Sequence, residues 1–236
     1  MMTENPVIVA MDCSGAEALL LAKALRGRVR WVKVGMTLYY AEGPQIVALL
    51  REMGFEVFVD LKLHDIPHQV AGAAAAIAKL GAGMFTVHAA GGRAMMASAV
   101  EASRRAADEL GIPAPSVLAV TVLTSTDDAG LAEVGVASSS AETQVKLLAG
   151  LARDAGVDGV VCSPREAALM RALMGEQALV VTPGIRPSWS QTDDQSRVAT
   201  PAAALAAGAS HLVIGRPITT ASSPAEAAAR IISELS

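Results

Sequence analysis

Two rhythms of apolar and polar positions alternate along the chain. Short runs rich in Val, Ile and Phe are each followed by an alanine-rich stretch whose apolar residues recur at helical spacing. The runs predict strands near Val7 to Met11, Val29 to Val34, Phe55 to Val59, Met84 to His88, Ser116 to Leu123, Gly159 to Cys162, Leu179 to Thr182 and His211 to Ile214. The helical stretches between them fall at 15–26, 43–53, 67–80, 92–110, 140–154, 165–173, 201–207 and 224–235. Strict alternation of strand and helix predicts a parallel sheet. Eight units of this length favour its closure into a (β/α)8 TIM barrel over a doubly wound open sheet. The 236 residues fit one domain spanning residues 1–236.

Composition narrows the classes of function. A net charge of -4 with only 3% aromatic residues argues against a nucleic-acid surface, which needs clustered cations and stacking rings. No apolar run reaches the roughly 18 to 20 residues of a membrane span. The start, MMTENPVIVAMD, lacks a basic leader and runs directly into the first strand, so a cytoplasmic protein is expected. Cys13 and Cys162 stand far apart without metal-ligand spacing, which gives a disulfide framework or a zinc site little support. No dinucleotide fingerprint appears either, so no cofactor is expected.

One stretch breaks the hydrophobic pattern. Phe55, Val57, Phe58 and Val59 lead straight into Asp60, Lys62 and Asp65, and then into Pro67, which suits the first turn of a helix. Alternation along a strand places Asp60 and Lys62 on one face at its carboxyl end. A surface ion pair would account for the same charges. Yet polar residues recur at the other strand ends: Asp12, Lys33, His88, Thr124 with Ser125, CSP at 162–164, TPGIRP at 182–187 and IGRP at 214–217. In a barrel these converge on the rim that holds the active site.

Two rims resemble an anion cradle, Gly184 with Arg186 and Gly215 with Arg216, after the strands where this fold commonly holds phosphate. The polar run from Arg186 to Thr200 is long for a barrel loop and is expected to act as a lid, with Gln195 reaching over a bound phosphate. His64 and His68 are four apart, but the intervening Pro67 and the lack of a third ligand argue against a metal site. His88 is expected to be a rim or structural residue and not a general base.

DLKLHDIP at 60–67 resembles the signature Asp-x-Lys-x-x-Asp-Ile-Pro of the orotidine 5'-phosphate decarboxylase family. AMD at 10–12, KVGM at 33–36, TVHAAGG at 86–92, VLTS at 122–125, VCSP at 161–164, VTPGIRP at 181–187, Asp194-Gln195 and VIGRP at 213–217 resemble the bacterial enzymes in the same order and spacing. The resemblance covers nearly the whole chain and implies cofactor-free conversion of orotidine 5'-phosphate to UMP and carbon dioxide.

Carried over position by position, the resemblance implies that Asp12 and Lys33 hold the ribose and that Asp60 meets the substrate carboxylate. Lys62 would deliver the proton, and Asp65 would come from the other subunit of a homodimer whose active sites lie at the interface. Ile66 and Thr124 would contact the substrate, Thr124 at the pyrimidine edge. Arg186, Gln195, Gly215 and Arg216 would serve the phosphate. After Asp-Ile-Pro the family usually carries Asn-Thr, where this chain has His68-Gln69. Gln69 therefore either replaces a ribose contact or fills space. Two other readings stay open: a related barrel that uses the same carboxylate spacing with magnesium and an enediolate, and a phosphate-binding barrel that senses nucleotides without catalysis.

Overall fold

A computed structural model describes residues 5–137, 140–190 and 199–235. Eight strands pair in parallel and in sequence order, and β8 (His211–Ile214) returns to β1 (Val7–Ala10), so the sheet closes into a barrel. The strands between are β2 (Trp31–Gly35), β3 (Glu56–Leu63), β4 (Met84–His88), β5 (Ser116–Val120), β6 (Gly159–Val161) and β7 (Leu179–Thr182). This is the (β/α)8 architecture expected from the alternation.

Eleven α-helices are present among the described residues: α1 (Gly15–Leu25), α2 (Met36–Glu42), α3 (Gln45–Glu52), α4 (Pro67–Lys79), α5 (Gly92–Leu110), α6 (Asp128–Glu133), α7 (Ala141–Asp154), α8 (Ala167–Met174), α9 (Pro201–Ala206), α10 (Arg216–Thr219) and α11 (Pro224–Ser233). Three of these, α2, α6 and α10, lie where the sequence predicted none. Each has at most seven residues, too short to show an apolar repeat. Local chemistry sets several boundaries. Ser14 and Glu17 form a reciprocal capping box at α1, Pro67 takes the first turn of α4, and Gly111 ends α5 in the left-handed conformation with φ 64°.

Strand alternation divides the core into two layers. Val7, Val9, Val32, Val34, Val57 and Val59 point outward and pack under the helices, while Ile8, Trp31, Phe58, Met84 and Leu118 fill the barrel interior. The same two-residue period places the next inward positions toward the carboxyl end, and these are Lys33, Asp60 and Thr86. Apolar packing at the bottom of the barrel therefore carries a polar layer at its top.

Five strands depart from their expected carboxyl ends. β1, β5 and β6 stop short, at Ala10, Val120 and Val161, while β2 and β3 run on to Gly35 and Leu63. Thr124 is presented by the loop after β5. The alternation itself fails in β3. Val59 pairs with Phe85, but the next pairing is Leu63 with Val87, so four residues of β3 advance against two of β4. Lys62 takes up the difference with φ 53°, the one left-handed non-glycine among the described residues.

Candidate active site

A cavity of about 480 Å³ opens at the carboxyl ends of the strands. Nine of the expected residues line it: Asp12, Lys33, Asp60, Lys62, Thr124, Gly184, Arg186, Gly215 and Arg216. Three others do not. Asp65, Ile66 and Gln69 are exposed at the start of α4, outside this chain's cavity. Gln195 and most of the expected lid lie outside the described residues. Of the other polar strand-end residues, His88, Ser125, Ser163 and Thr182 do not reach the cavity. Ser163 is buried beneath a helical turn, where its backbone N–H donates to the Glu166 carboxylate at 2.9 Å.

One wall of the cavity is an ion network. Lys33 Nζ donates to Asp12 Oδ1 at 2.9 Å and lies 3.6 Å from Asp60 Oδ2. Lys62 Nζ donates to the other Asp60 oxygen, Oδ1, at 2.9 Å. Burial alone would raise the Asp60 pKa, but Lys33, Lys62 and hydrogen bonds from Lys62 and Thr86 outweigh it and hold the carboxyl below its ordinary range. Asp60 is therefore an anion at neutral pH. Its side chain is only 13% exposed and that of Lys62 is 27% exposed, so the lysine is the more open of two partners that both line the cavity.

Gly35 makes this network possible. A Cβ there would stand 2.7 Å from Asp12 Oδ1 and 2.9 Å from Lys33 Nζ, so any side chain would push the pair apart. The hydroxyl of Thr86 is a second support that sequence reasoning did not single out. It accepts from Lys62 N–H at 2.8 Å and donates to Asp60 Oδ1 at 3.0 Å. Counting inward positions from Met84 on β4 could have found it.

The opposite end of the cavity is formed by the loops after β7 and β8. Gly184 turns with φ 78°, a conformation that suits glycine. Arg186 is almost fully buried, and Gly215 leads directly into α10 with the exposed Arg216 at its start. Backbone bonds between Arg186 and Ala199 and between Ala199 and Gly184 tie the base of the long loop together. Trp189 is held further out, where Nε1 donates to Glu234 at 2.8 Å and the Arg230 guanidinium stacks 4.4 Å above its ring.

His88 Nδ1 accepts from Ala90 N–H at 3.4 Å, and its ring stacks on His64 at 5.3 Å. Burial, with the nearby His64 and Lys62, lowers the His88 pKa and keeps the ring neutral. No group of three or more His, Cys, Asp or Glu that could hold a metal ion occurs among the described residues. Burial and the nearby carboxylates Glu17 and Asp12 raise the Cys13 pKa, and burial, with Glu166, raises that of Cys162. Both cysteines are free thiols and not activated nucleophiles.

Residues 5–231 match the family model described as "Orotidine 5'-phosphate decarboxylase / HUMPS family". The chain belongs to this family. Among its decarboxylase relatives, the orotidine 5'-phosphate decarboxylase of Paramagnetospirillum magneticum is 51% identical over 232 residues and covers 98% of both chains. That of Alkalilimnicola ehrlichii is 52% identical over 235 residues, covering 99% of this chain and 97% of its own. The crystal structure of orotidine 5'-phosphate decarboxylase from Lactobacillus acidophilus matches with a TM-score of 0.87 at 40% identity, covering 98% of this chain and 99% of that one.

Proposed function

We propose that this one-domain barrel decarboxylates orotidine 5'-phosphate to UMP, with Lys62 as the proton donor. The observation that carries the reading is the Lys33–Asp60–Lys62 network on one wall of a cavity whose other end presents Gly184, Arg186, Gly215 and Arg216. The chain is a carboxy-lyase of its family, and relatives at about half identity carry the decarboxylase name.

In this reaction the bond between the ring carbon and the carboxylate breaks, and its electron pair stays on the ring. A fixed cation beside that carbon stabilises the developing charge without reorganisation. Lys62 suits the task because Asp60 holds its Nζ at 2.9 Å, on the cavity wall. The ammonium then gives its proton to the carbon, and solvent restores it. Asp60 would face the substrate carboxylate, a like-charge contact that loss of carbon dioxide relieves. The guanidinium end would grip the phosphate, and that remote binding energy would hold the ring against Lys62.

The active form in this reading is a homodimer. Asp65 makes no ion pair within its own chain among the described residues; its carboxylate accepts from Ile66 N–H at 2.6 Å and is exposed. Met36, Tyr40 and Ile66 are exposed apolar residues that follow the neighbouring strands β2 and β3. A second copy packed there would cover them and could carry Asp65 toward the facing Lys62. A cytoplasmic setting belongs to the same reading; no described helix is long and apolar enough to cross a membrane.

Incubating the purified protein with orotidine 5'-phosphate while following pyrimidine absorbance tests the activity. Conversion to UMP supports the reading. Absence of turnover, or turnover only of a sugar phosphate with magnesium, would replace it with the enediolate chemistry.

A further inference from the structure

The bulge in β3 puts the proposed proton donor on an unusual backbone, and one side chain accounts for how it is held. Between the pairings of Val59 with Phe85 and Leu63 with Val87, β4 contributes only Thr86. Its side chain occupies the gap. The direction of both hydrogen bonds is fixed by chemistry: a backbone N–H can only donate, so the hydroxyl oxygen accepts from Lys62 at 2.8 Å. An ionised carboxylate can only accept, so the single hydroxyl proton goes to Asp60 Oδ1 at 3.0 Å.

From this geometry we infer that Thr86 is a positioning residue: its hydroxyl pins the left-handed Lys62 backbone and the Asp60 carboxylate at once, and so sets where the Lys62 ammonium points. Thr86 is 1% exposed and does not line the cavity, so direct contact with substrate is not its role. Asp60 Oδ1 receives both Thr86 and Lys62, which leaves Oδ2 turned toward Lys33. Rotation of the carboxylate would break both lysine contacts. The hydroxyl therefore opposes the rotation that would detach Lys62 from Asp60, and its hold on Lys62 N–H opposes relaxation of the bulge.

This inference rests on the decarboxylase reading for its kinetic consequence but not for its structural one. Thr86→Val keeps the shape and removes both bonds, whereas Thr86→Ser keeps the hydroxyl. With orotidine 5'-phosphate, Thr86→Val should lower kcat about ten- to a hundredfold, the scale of a hydrogen bond to a charged group, with KM changed less than about threefold. Thr86→Ser should recover most of the loss.

A second readout does not need turnover. In protein labelled with carbon-13 at the aspartate carboxyls, with the Asp60 signal identified by Asp60→Asn, the Asp60 titration should move upward in Thr86→Val and stay near its original midpoint in Thr86→Ser. The groups facing this carboxylate, Lys33 on β2 and Lys62 on β3, are the same in both variants. If the valine protein does not fold, Thr86→Ala against Thr86→Ser provides the same comparison. An unmoved Asp60 titration in the variant without the hydroxyl, or a serine variant as impaired as the valine one, would overturn the inference. A protein inactive on orotidine 5'-phosphate whose Asp60 titration still moves would overturn the decarboxylase reading alone.

Discussion

At the β1–β3 end of the cavity two cations and two carboxylates are bonded to one another, with Lys33 and Asp60 largely buried. At the β7–β8 end the described lining residues include two arginines and two glycines. The first end is preorganised and leaves little for a substrate to arrange, while the second presents guanidinium groups beside glycines, a combination that suits an anionic ligand. A further difference follows from Asp65. The β7–β8 end draws its described residues from one chain, whereas the β1–β3 end as proposed lacks Asp65 until another chain supplies it.

The largest expected effect lies at the reacting end. Lys62→Ala should lower kcat at least about a thousandfold, the scale of losing one preorganised electrostatic group, while UMP still binds. Steady-state kinetics beside a UMP titration checks this, and a kcat within tenfold of the unaltered protein would remove Lys62 from the role of donor. Arg216→Ala should act differently, raising KM about ten- to a hundredfold and weakening UMP far more than uridine. Equal weakening of both ligands would place Arg216 away from the phosphate.

The pH dependence of stability should be smaller and confined to acid. Because the folded-state pKa of Asp60 is lowered, its contribution is fully present above the ordinary aspartate value of about 3.9 and is lost as pH falls through the lowered one. The Tm advantage over Asp60→Asn should therefore hold from neutral pH to about pH 5 and shrink only below it. Thermal melts from pH 3 to 7 read the difference. The smallest effect expected is none: dialysis against EDTA should leave turnover of orotidine 5'-phosphate unchanged, and loss reversed by magnesium would favour the enediolate alternative.

Much of the barrel was legible because its strands are short apolar runs bounded by glycine, proline or charge, and the period of two was applied to the charged end of β3. The same rule reached the right cavity for Asp60 and Lys62 by a wrong route. It assumed regular alternation where the chain bulges at Lys62, and a bulge leaves no mark in hydropathy. The cavity-lining residues Gly184, Arg186, Gly215 and Arg216 were legible as glycine and arginine pairs after strand signals. Thr86 was not, since a lone threonine in a strand reads as an ordinary β former until its neighbour's register is known. His88 was legible only as a rim or structural residue, and its ring stacks on His64 outside the cavity.

The claim that the reacting end is shared between chains can be tested by mixing two inactive variants, Lys62→Ala and Asp65→Asn. In a two-fold dimer, one site of each mixed pair would carry both lesions and the other would be wholly native. Random reassortment makes half the dimers mixed and half of their sites native, so roughly a quarter of the unaltered activity should return. Lys62→Ala mixed with Arg216→Ala should gain nothing beyond the residual activity of the arginine variant, because both residues belong to one chain's site. If subunit exchange is verified by mass and the Lys62→Ala and Asp65→Asn mixture stays inactive, Asp65 acts within its own chain and the shared site is contradicted.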